Sequence, residues 1–562
     1  MKQLKSAFIL LMVVIFSVSG ISQPFAKTNH AENFYQGIEF QMSQVKEPVI
    51  AANSVSITDF GAKSGGQVLC TKAFSDAIDA VYGKGGGRVI IPRGIWVTGP
   101  ITLKSNIELF TEAGALVVFT MDKNLYPLVE TIFEGLNTYR CMSPLNGRNL
   151  ENIAITGKGI FDGSGDAWRA VKKEKLSEGQ WKKLVASGGL VSENGKTWYP
   201  SEQFRDGENV AEMNVPRSLK TKLEFEKIRD FLRPVMISFI SCKKVLIDGP
   251  TFQNSPAWCI HPLMCEDVTI RNTSVRNPWY SQNGDGVDIE SCRNSIIHDC
   301  SFDVGDDAIC IKSGKDKEGR DRGIPNENLI VKNCIVYHGH GGVTVGSEMS
   351  GGVRNMHVSN CTFIGTDVGI RFKSNRGRGG VVENIYISDI TMMNIPTQAI
   401  SFNLYYNGKS ASEDKDQESG VQVEKLFQLT EETPQFKNIY IRNVTCNGAD
   451  QALFLQGLPE KNLININIEN VTMRSKYGLT CIDADQIKLK NINLDVSSGN
   501  GVVLTNSKNM VFENFRCMGY TKKLFNISGK STSSIRLSAI GKKLNSNDFE
   551  LSSDVDNKSI IQ

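Results

Sequence analysis

The sequence has no strong excess of charge and, beyond its N-terminus, no long apolar run. Its 63 Lys and Arg residues against 60 Asp and Glu leave a formal net charge of +3, which argues against a nucleic-acid-binding protein. No later stretch approaches the roughly 18 consecutive apolar residues of a transmembrane helix, so we expect no membrane span. Proline is also sparse, at 17 residues against 51 glycines, which favours many tight turns over rigid linkers.

The N-terminus has the pattern of a secretory signal peptide, which we place at residues 1–22. Lys2 and Lys5 precede an apolar run, residues 7–18, that small residues follow. No cysteine lies near the expected cleavage point, so a lipoprotein anchor is not indicated. We therefore expect an exported monomer, periplasmic or extracellular, whose residues 23–53 form a loose segment.

Thirteen cysteines in an exported chain raise the possibility of disulfides. Their number is odd, however, and Cys300, Cys334 and Cys361 each follow the marker residue of a repeat described below. Buried free thiols, packed as small apolar side chains, explain this common phase better than disulfides do. Disulfides remain the alternative, and a metal site is the weaker third interpretation.

Residues 54–148 are expected to form the N-terminal strands and cap of the domain. Residues 55–60 have the pattern of a strand, and residues 71–82 that of an amphipathic helix with Thr71 as its cap. GKGGGRVIIPRG, ITLKSNIELF and GALVVF then predict short strands separated by glycine turns.

From residue 149 a repeat runs along the chain, with the pattern apolar, x, apolar, x, Asn/Asp/Gly, x, x, apolar. Its marker residues are Gly157, Gly249, Asn272, Asp299, Asn333, Asn360, Asp389, Asn443, Asn470, Asn491 and Asn514. Most spacings are 21 to 34 residues, and short alternating strands at this period are typical of a parallel β-helix. We interpret the 54-residue gap before Asn443 as two turns, and the 92-residue gap before Gly249 as one that contains an insertion.

The predicted fold is therefore all-β, a single right-handed parallel β-helix with a short N-terminal helix cap and inserted loops. The catalytic solenoid spans residues 149–520, and residues 521–562 form a C-terminal cap. Insertions at 168–235 and 407–434 are either solvated loops or walls of a groove. Trp168, Trp181 and Trp198 favour the second interpretation for the first insertion, since aromatic faces pack well against sugars.

Aligning the repeat brings four short segments into one patch: NGDGVD (283–288), GDDA (305–308), GHGG (339–342) and RFK (371–373). In this alignment Asp285 lies over Asp307, and Asp306 over His340. One outward column contains Asp288, Cys310, Thr344 and Arg371; the next contains Glu290, Lys312, Gly346 and Lys373. Neighbouring strands lie about 4.8 Å apart, so three carboxylates, a histidine and several bases share a small surface.

Three crowded carboxylates cannot all ionise easily, so we expect at least one raised pKa and hence an available general acid. The other two can activate water, a division of labour that suits glycoside hydrolysis. Arg371 and Lys373 suit an anionic substrate, because Arg can hold a carboxylate with two parallel hydrogen bonds. The alternatives for the Asp pair are turn chemistry and a calcium site.

Further polar residues near the patch each have two possible roles or a structural one. Asp288 and Glu290 are expected to face the groove, where they either contact substrate or pair with neighbouring bases. Lys312 is assigned to substrate binding with the same alternative, while His261 and His298 are expected to be structural.

The four segments resemble the signature of the polygalacturonases, glycoside hydrolase family 28: Asn-x-Asp, Gly-Asp-Asp, Gly-His-Gly and Arg-x-Lys, in this order. ITDFGAK (57–63), GKGIFDGSG and FQNSPAW (252–258) extend the resemblance over residues 55–520. Gly284 departs from the commonest pattern, which has Thr there.

The resemblance implies a role for each matching residue. Asp306 is implied to be the acid, Asp285 and Asp307 to hold the attacking water, and His340 to tune or orient the acid. Arg371 and Lys373 are implied to bind the galacturonate carboxylate. We add Asn283, which opens the first motif, to the substrate-binding residues.

The implied activity is inverting hydrolysis of α-linked galacturonic acid in pectic polysaccharide or oligogalacturonide, without cofactor or metal. GSEMSGGVRN (346–355) resembles exo-acting bacterial members, in which inserted loops close the groove. A galacturonate–rhamnose linkage is the alternative within the family. A calcium-dependent pectate lyase and a non-catalytic glycan-binding β-helix are the alternatives outside it.

Overall fold

The structure is a computed structural model that describes residues 33–212, 214–406 and 426–561. Residues 33–37 form a short turn, and residues 38–561 belong to one body. The predicted signal peptide and residues 407–425 of the second predicted insertion lie outside the described residues. Within the described ranges, no helix is both long and apolar enough to cross a membrane.

The body is the predicted parallel β-helix, built from three long sheets. The sheet that carries the site, called the site sheet below, contains Ile101–Thr102, Leu145–Arg148, Ile237–Ile240, Ile260–Leu263, Val287–Glu290, Ile309–Lys312, Gly341–Val345, Val368–Lys373, Val502–Thr505, Phe525–Ser528 and Phe549–Leu551. The second sheet contains Ser54–Ser56, Gly87–Ile91, Ile107–Thr111, Glu151–Gly157, Lys243–Asp248, Glu266–Arg271, Arg293–His298, Asn326–Lys332, Ser533–Ser538 and Ile560–Ile561. The third contains Gly94–Thr98, Ala115–Phe119, Ile160–Asp162, Thr251–Gln253, Ser274–Arg276, Ser301–Asp303 and Ile335–His338. Longer strands run through more than one sheet: Val353–Ile364, Val381–Asn403, Gln435–Gln456, Leu463–Ile482, Ala484–Val496 and Lys508–Met518.

The predicted helix is present at Thr71–Tyr82 and buries its apolar face against the first coil. Thr71 is not its cap, because its Oγ1 accepts a hydrogen bond from the Gly99 N–H at 2.6 Å instead. The strand predicted at 55–60 is also shorter, Ser54–Ser56, because the side chains of Ser56 and Asp59 cap a 3₁₀ turn at Ile57–Phe60.

The repeat markers are the positions where each coil turns through left-handed backbone. All of them have positive φ, from 49° at Asn514 to 98° at Gly157 and Gly249, which Asn, Asp and Gly adopt most readily. Their side chains also pair between coils, and Asn443 Nδ2 donates to Asp389 Oδ1 at 2.9 Å. The 54-residue gap is therefore one coil with an insertion, and the prediction of two turns is wrong.

The interior is a continuous apolar column that includes most of the cysteines. All thirteen cysteines are free, and twelve of them are buried. Some stack on neighbouring coils: the Cys242 N–H lies 3.4 Å from Cys265 Sγ, and the Cys265 N–H lies 3.4 Å from Cys292 Sγ. The prediction of buried free thiols is confirmed.

The 168–235 insertion has a small fold of its own. It contains helices Glu178–Ala186, Glu202–Val210 and Lys222–Glu226 and a three-stranded antiparallel sheet of Val171–Lys172, Leu190–Val191 and Thr197–Tyr199. Its three tryptophans are buried, because they fill the interior of this small unit. The interpretation that they face sugar is therefore wrong.

Two further elements lie near the site: an antiparallel hairpin, Leu128–Phe133 and Leu136–Cys141, and the helix Asp316–Arg322. At the other end of the chain, parallel pairing continues to Ile561, inside the segment predicted as a cap.

Candidate active site

Strand register brings the four sequence segments together as predicted. Asp288 pairs with Cys310, Cys310 with Thr344, and Thr344 with Arg371. The next column begins as predicted with Glu290 opposite Lys312. Because these strands are consecutive rungs of the site sheet, residues far apart in sequence lie on one surface.

The three acids lie in the turns that lead into these strands. The Gly286 N–H donates to the Asp307 backbone oxygen at 3.0 Å, and the His340 N–H donates to that of Asp306 at 2.9 Å. A Cβ at Gly286 would lie 2.3 Å from the Ala308 oxygen, so only glycine allows the turns to approach this closely. The predicted neighbours, Asp285 with Asp307 and Asp306 with His340, are confirmed.

Asp307 is the buried acid with positive neighbours. Its Oδ1 accepts hydrogen bonds from Thr344 Oγ1 at 3.0 Å and Arg371 Nη1 at 3.2 Å, and its Oδ2 accepts one from Lys373 Nζ at 2.8 Å. Burial opposes ionisation of this carboxyl, but Lys373 and Arg371 outweigh it and lower its pKa below the ordinary range. Asp307 is therefore a carboxylate at any pH of interest.

Asp285 has the opposite environment. It is buried, and its Oδ1 has no hydrogen-bond partner within the described parts of the chain. Burial, followed by repulsion from Asp288 and Asp306, raises its pKa well above the ordinary range. The raised pKa expected for one of the three acids is thus that of Asp285, whereas the pKa of Asp307 is lowered.

Asp306 is the acid that the groove can reach. Its side chain is 22% exposed, against 1% for Asp307. Its Oδ1 accepts a hydrogen bond from the Asp307 N–H at 2.9 Å and lies 3.2 Å from His340 Nδ1. This hydrogen bond to Asp306 is the main cause that raises the pKa of His340, so the imidazole keeps its proton to a higher pH than a free histidine.

Asp288 and Glu290 do not face an open groove, contrary to the expectation. Both are fully buried, and Glu290 Oε2 lies 2.9 Å from His261 Nε2. Burial raises the pKa of Asp288 to about 8, although Lys312 opposes the shift. The reason for their burial is a cover, described below, that lies over this end of the site sheet.

Lys312 and Asn283 also have protein partners in the structure. Lys312 Nζ lies 3.0 Å from Glu348 Oε2, 3.5 Å from Asp288 Oδ1 and 4.3 Å from the centre of the Trp258 ring. Asn283 Oδ1 accepts a hydrogen bond from Arg233 Nη2 at 2.8 Å. Their assignment to substrate binding stays a prediction.

Several residues of the site were not found from the sequence. Glu348 lies beyond the Gly341–Val345 strand, where the regular pairing with the preceding coil has ended, so the repeat pattern did not mark it. The Tyr406 ring lies 4.9 Å from Lys373 Nζ, and Asp367 Oδ2 lies 3.7 Å from His340 Nε2. Tyr406 and Asp367 occupy irregular turns outside the repeat pattern, so no periodic signal marked them.

A cover crosses the site sheet at its N-terminal end, and we call it the bridge: the hairpin 128–141 with insertion residues 214–217, in contact with residues 313–322. The Asn137 N–H donates to Glu318 Oε2 at 2.7 Å, and Arg322 Nη2 donates to the Gly135 oxygen at 3.2 Å. The hairpin precedes a strand of the site sheet, whereas residues 313–322 follow one. The bridge therefore joins the two opposite edges of the sheet.

One group of possible metal ligands occurs in the described residues. Asp285, Asp307 and Cys310 offer atoms within 4.8 Å of one another. Calcium prefers six to eight oxygen ligands, whereas this group includes a thiol, and both oxygens of Asp307 are already held by Arg371, Thr344 and Lys373. The residues do not fit the calcium site weighed for the Asp pair.

Known proteins resemble the chain over most of its length. The model of "Glycosyl hydrolases family 28" matches residues 227–481. The chain is 29% identical over 452 residues to a probable polygalacturonase of Vitis vinifera, covering 78% of each protein. The structure matches that of a hyperthermoactive exopolygalacturonase from Thermotoga maritima with a TM-score of 0.64 and 31% identity, covering 80% of this chain and 94% of that one.

A family 28 exopolygalacturonase from Yersinia enterocolitica shows the same fold, with a TM-score of 0.65 at 21% identity, covering 82% of this chain and 78% of that one. The ordered motifs, the aligned acids and these likenesses agree with one another. The chain belongs to glycosyl hydrolase family 28 and is a glycoside hydrolase.

Proposed function

We propose that this protein is an exo-acting polygalacturonase that hydrolyses α-linked galacturonic acid in pectic chains with inversion of configuration. The observation that carries the proposal is the environment of the three acids. The partly exposed Asp306 lies beside a protonatable His340, while Asp285 and Asp307 lie behind it with opposite pKa shifts. Acid and base roles require neighbouring carboxyl groups whose environments move their pKa values apart.

The chemistry follows from these positions. Asp306 donates a proton to the glycosidic oxygen, and His340 orients it through the contact at Oδ1. Water attacks the anomeric carbon from the side of Asp285 and Asp307 and loses its proton to a carboxylate. Asp307 is ionised throughout, whereas Asp285 must first release its own proton to serve as the base.

The cations select the substrate. Arg371 and Lys373 both contact Asp307, and the Arg371 side chain is the more exposed of the two. A galacturonate carboxylate bound by Arg371 places the negatively charged sugar directly against the catalytic acids.

The bridge supports exo action. A polysaccharide bound along the site sheet meets the hairpin and the loop 313–322 at one end, since their contacts join the two edges of the sheet. A chain end therefore enters and a single sugar leaves. The Thermotoga maritima relative is itself described as an exopolygalacturonase.

Export to the periplasm or the medium, as a monomer, completes the proposal. The basic residues and the apolar run within positions 2–18 support export. Sequencing the N-terminus of the mature protein, together with its mass in solution, tests both statements.

The test of function is a product profile over time on polygalacturonic acid and on rhamnogalacturonan, each with and without chelator, and with Asp306→Asn as the paired variant. We expect free galacturonate from the first time point and a loss of about 10² to 10⁴-fold in the variant. The better substrate identifies the linkage. Mixed oligomers as early products would contradict exo action, and an unsaturated, chelator-sensitive product would indicate a lyase.

A further inference from the structure

A cavity of about 180 Å³ lies between the 168–235 insertion and the turn before the Val287–Glu290 strand. Its lining includes Lys172 and Lys175 from the insertion, Trp279 and Gln282 from the turn, and His340 of the active site. The cavity thus opens beside a residue that contacts Asp306, on the edge of the site sheet where the strands begin.

Trp279 is the unusual residue of this cavity. Its side chain is 61% exposed, while the three tryptophans of the neighbouring insertion are buried. The exposed ring belongs to the wall of a cavity that His340 also lines, so a ligand held there would contact the indole. Flat indole faces bury much apolar area, which suits the C–H face of a pyranose ring.

The charge of the cavity favours an anion. Lys175 Nζ lies 4.6 Å from the centre of the Trp279 ring, so a cation and an aromatic face meet at one point. Lys172 is also exposed, and no carboxylate pairs with either lysine among the residues that the structure describes. An exposed indole beside two such cations fits a sugar that carries a carboxylate.

This position is separate from the cations already assigned to substrate. Arg371 and Lys373 project from a strand of the next coil after His340, whereas the cavity is lined by turns that precede the strands.

We propose that this cavity is a second uronate subsite, in which Trp279 packs against a sugar ring and Lys175 and Lys172 hold its carboxylate. The inference rests on the proposed function for the nature of the sugar. The sugar held here is a different residue of the pectic chain from the one at Arg371. The insertion thereby supplies specificity for two acidic sugars in succession.

The test compares three single variants of the full chain, Lys175→Gln, Trp279→Ala and the control Lys182→Gln. Lys182 is exposed on the same insertion but does not line the cavity. Binding of trigalacturonate is measured by calorimetry with each substitution combined with Asp306→Asn to stop hydrolysis, and kcat and KM are measured on the same oligomer with Asp306 intact. A carboxyl-reduced, neutral trisaccharide serves as the second ligand.

We expect Lys175→Gln to weaken trigalacturonate binding about tenfold, as for loss of one charge-assisted contact, with little change for the neutral trisaccharide. Trp279→Ala should weaken binding of both ligands, and Trp279→Phe should restore part of it. Lys182→Gln should bind both ligands as the wild type does.

The outcomes separate this inference from the proposed function. Normal hydrolysis with unchanged binding in Lys175→Gln and Trp279→Ala would overturn the subsite and leave the hydrolase intact. Trigalacturonate binding that depends on Lys175 and Trp279, without hydrolysis by the wild type, would support the subsite and overturn the activity. Equal weakening in the Lys182→Gln control would also overturn the subsite, because it would show a general effect of surface charge.

Discussion

At the scale of single residues, the site shows how neighbours decide the behaviour of identical side chains. Asp285 and Asp307 lie on adjacent coils and are both buried, yet their pKa values move in opposite directions. The difference is the partner: Asp307 has Lys373 and Arg371, whereas Asp285 has another carboxyl, Asp288. Sequence alignment of the coils placed these acids correctly but could not assign the shifts, which depend on burial and on side-chain direction.

Asp288 gives a prediction about pH and stability. Burial raises its pKa in the folded protein to about 8, from an ordinary value of 3.8. The folded state therefore holds a proton that the unfolded chain releases, and stability falls as pH rises from about 4 to about 8. We expect Asp288→Asn to match the wild type near pH 4 and to exceed its unfolding free energy at pH 8 by up to about 5 kcal/mol.

Thermal unfolding measured across this pH range checks the prediction, with Asp450→Asn, an exposed aspartate of a distant coil, as the control. In Asp288→Asn the Asp285 carboxyl still has a raised pKa. The slope of unfolding free energy against pH is therefore smaller than in the wild type but is not zero. A constant difference between variant and wild type at all pH values would contradict the assignment of the proton to Asp288.

At the scale of elements, the proposed exo action depends on the bridge. Its parts come from three distant segments, and each lacks a sequence pattern that points to the others. The sequence predicted an insertion at 168–235 from its length and polarity, but the hairpin 128–141 was not anticipated. The bridge is held together by tertiary contacts, such as that of Asn137 with Glu318, which no periodicity encodes.

Gly135, at the tip of the hairpin, tests the role of the bridge. It has φ +71°, and an added Cβ would lie 2.4 Å from the Lys315 backbone nitrogen. Gly195 has nearly the same φ, +70°, but nothing lies within 4 Å of its added Cβ. Alanine at either position therefore incurs a similar backbone strain of about 1–2 kcal/mol, and only Gly135→Ala pushes the hairpin away from the loop.

We expect Gly135→Ala to release more di- and trigalacturonate at early times than the wild type, while Gly195→Ala keeps galacturonate as its first product. Chromatography of early products from polygalacturonic acid measures the difference. If Gly135→Ala gives the wild-type product pattern, the contact between hairpin and loop does not control the mode of cleavage.

At the scale of the whole molecule, stability is distributed along a stack in which each coil contacts its neighbours. The repeat was visible in the sequence because the turn at each marker requires left-handed backbone, and Asn, Asp and Gly supply it. The spacing of the markers gave the wrong number of coils at the 54-residue gap, because spacing alone does not distinguish two coils from one coil with an insertion. Only the direct contact of Asn443 with Asp389 settles that question.

Asn470, a marker remote from the active site in the sequence, separates backbone strain from side-chain pairing in this stack. Its φ is +56°, its Nδ2 donates to Asn443 Oδ1 at 3.1 Å, and its Oδ1 accepts from Asn491 Nδ2 at 2.8 Å. Asn470→Gly loses both hydrogen bonds but fits the backbone, so we expect a loss of about 1–2 kcal/mol of unfolding free energy. Asn470→Ala adds left-handed strain, which raises the loss to about 2–4 kcal/mol.

Denaturant unfolding measures the loss of stability in both variants. Their kcat/KM should stay at the wild-type value because the coils of the active site are not neighbours of the coil that carries Asn470. Equal losses for the two variants would show that pairing, and not backbone conformation, selects Asn at the markers.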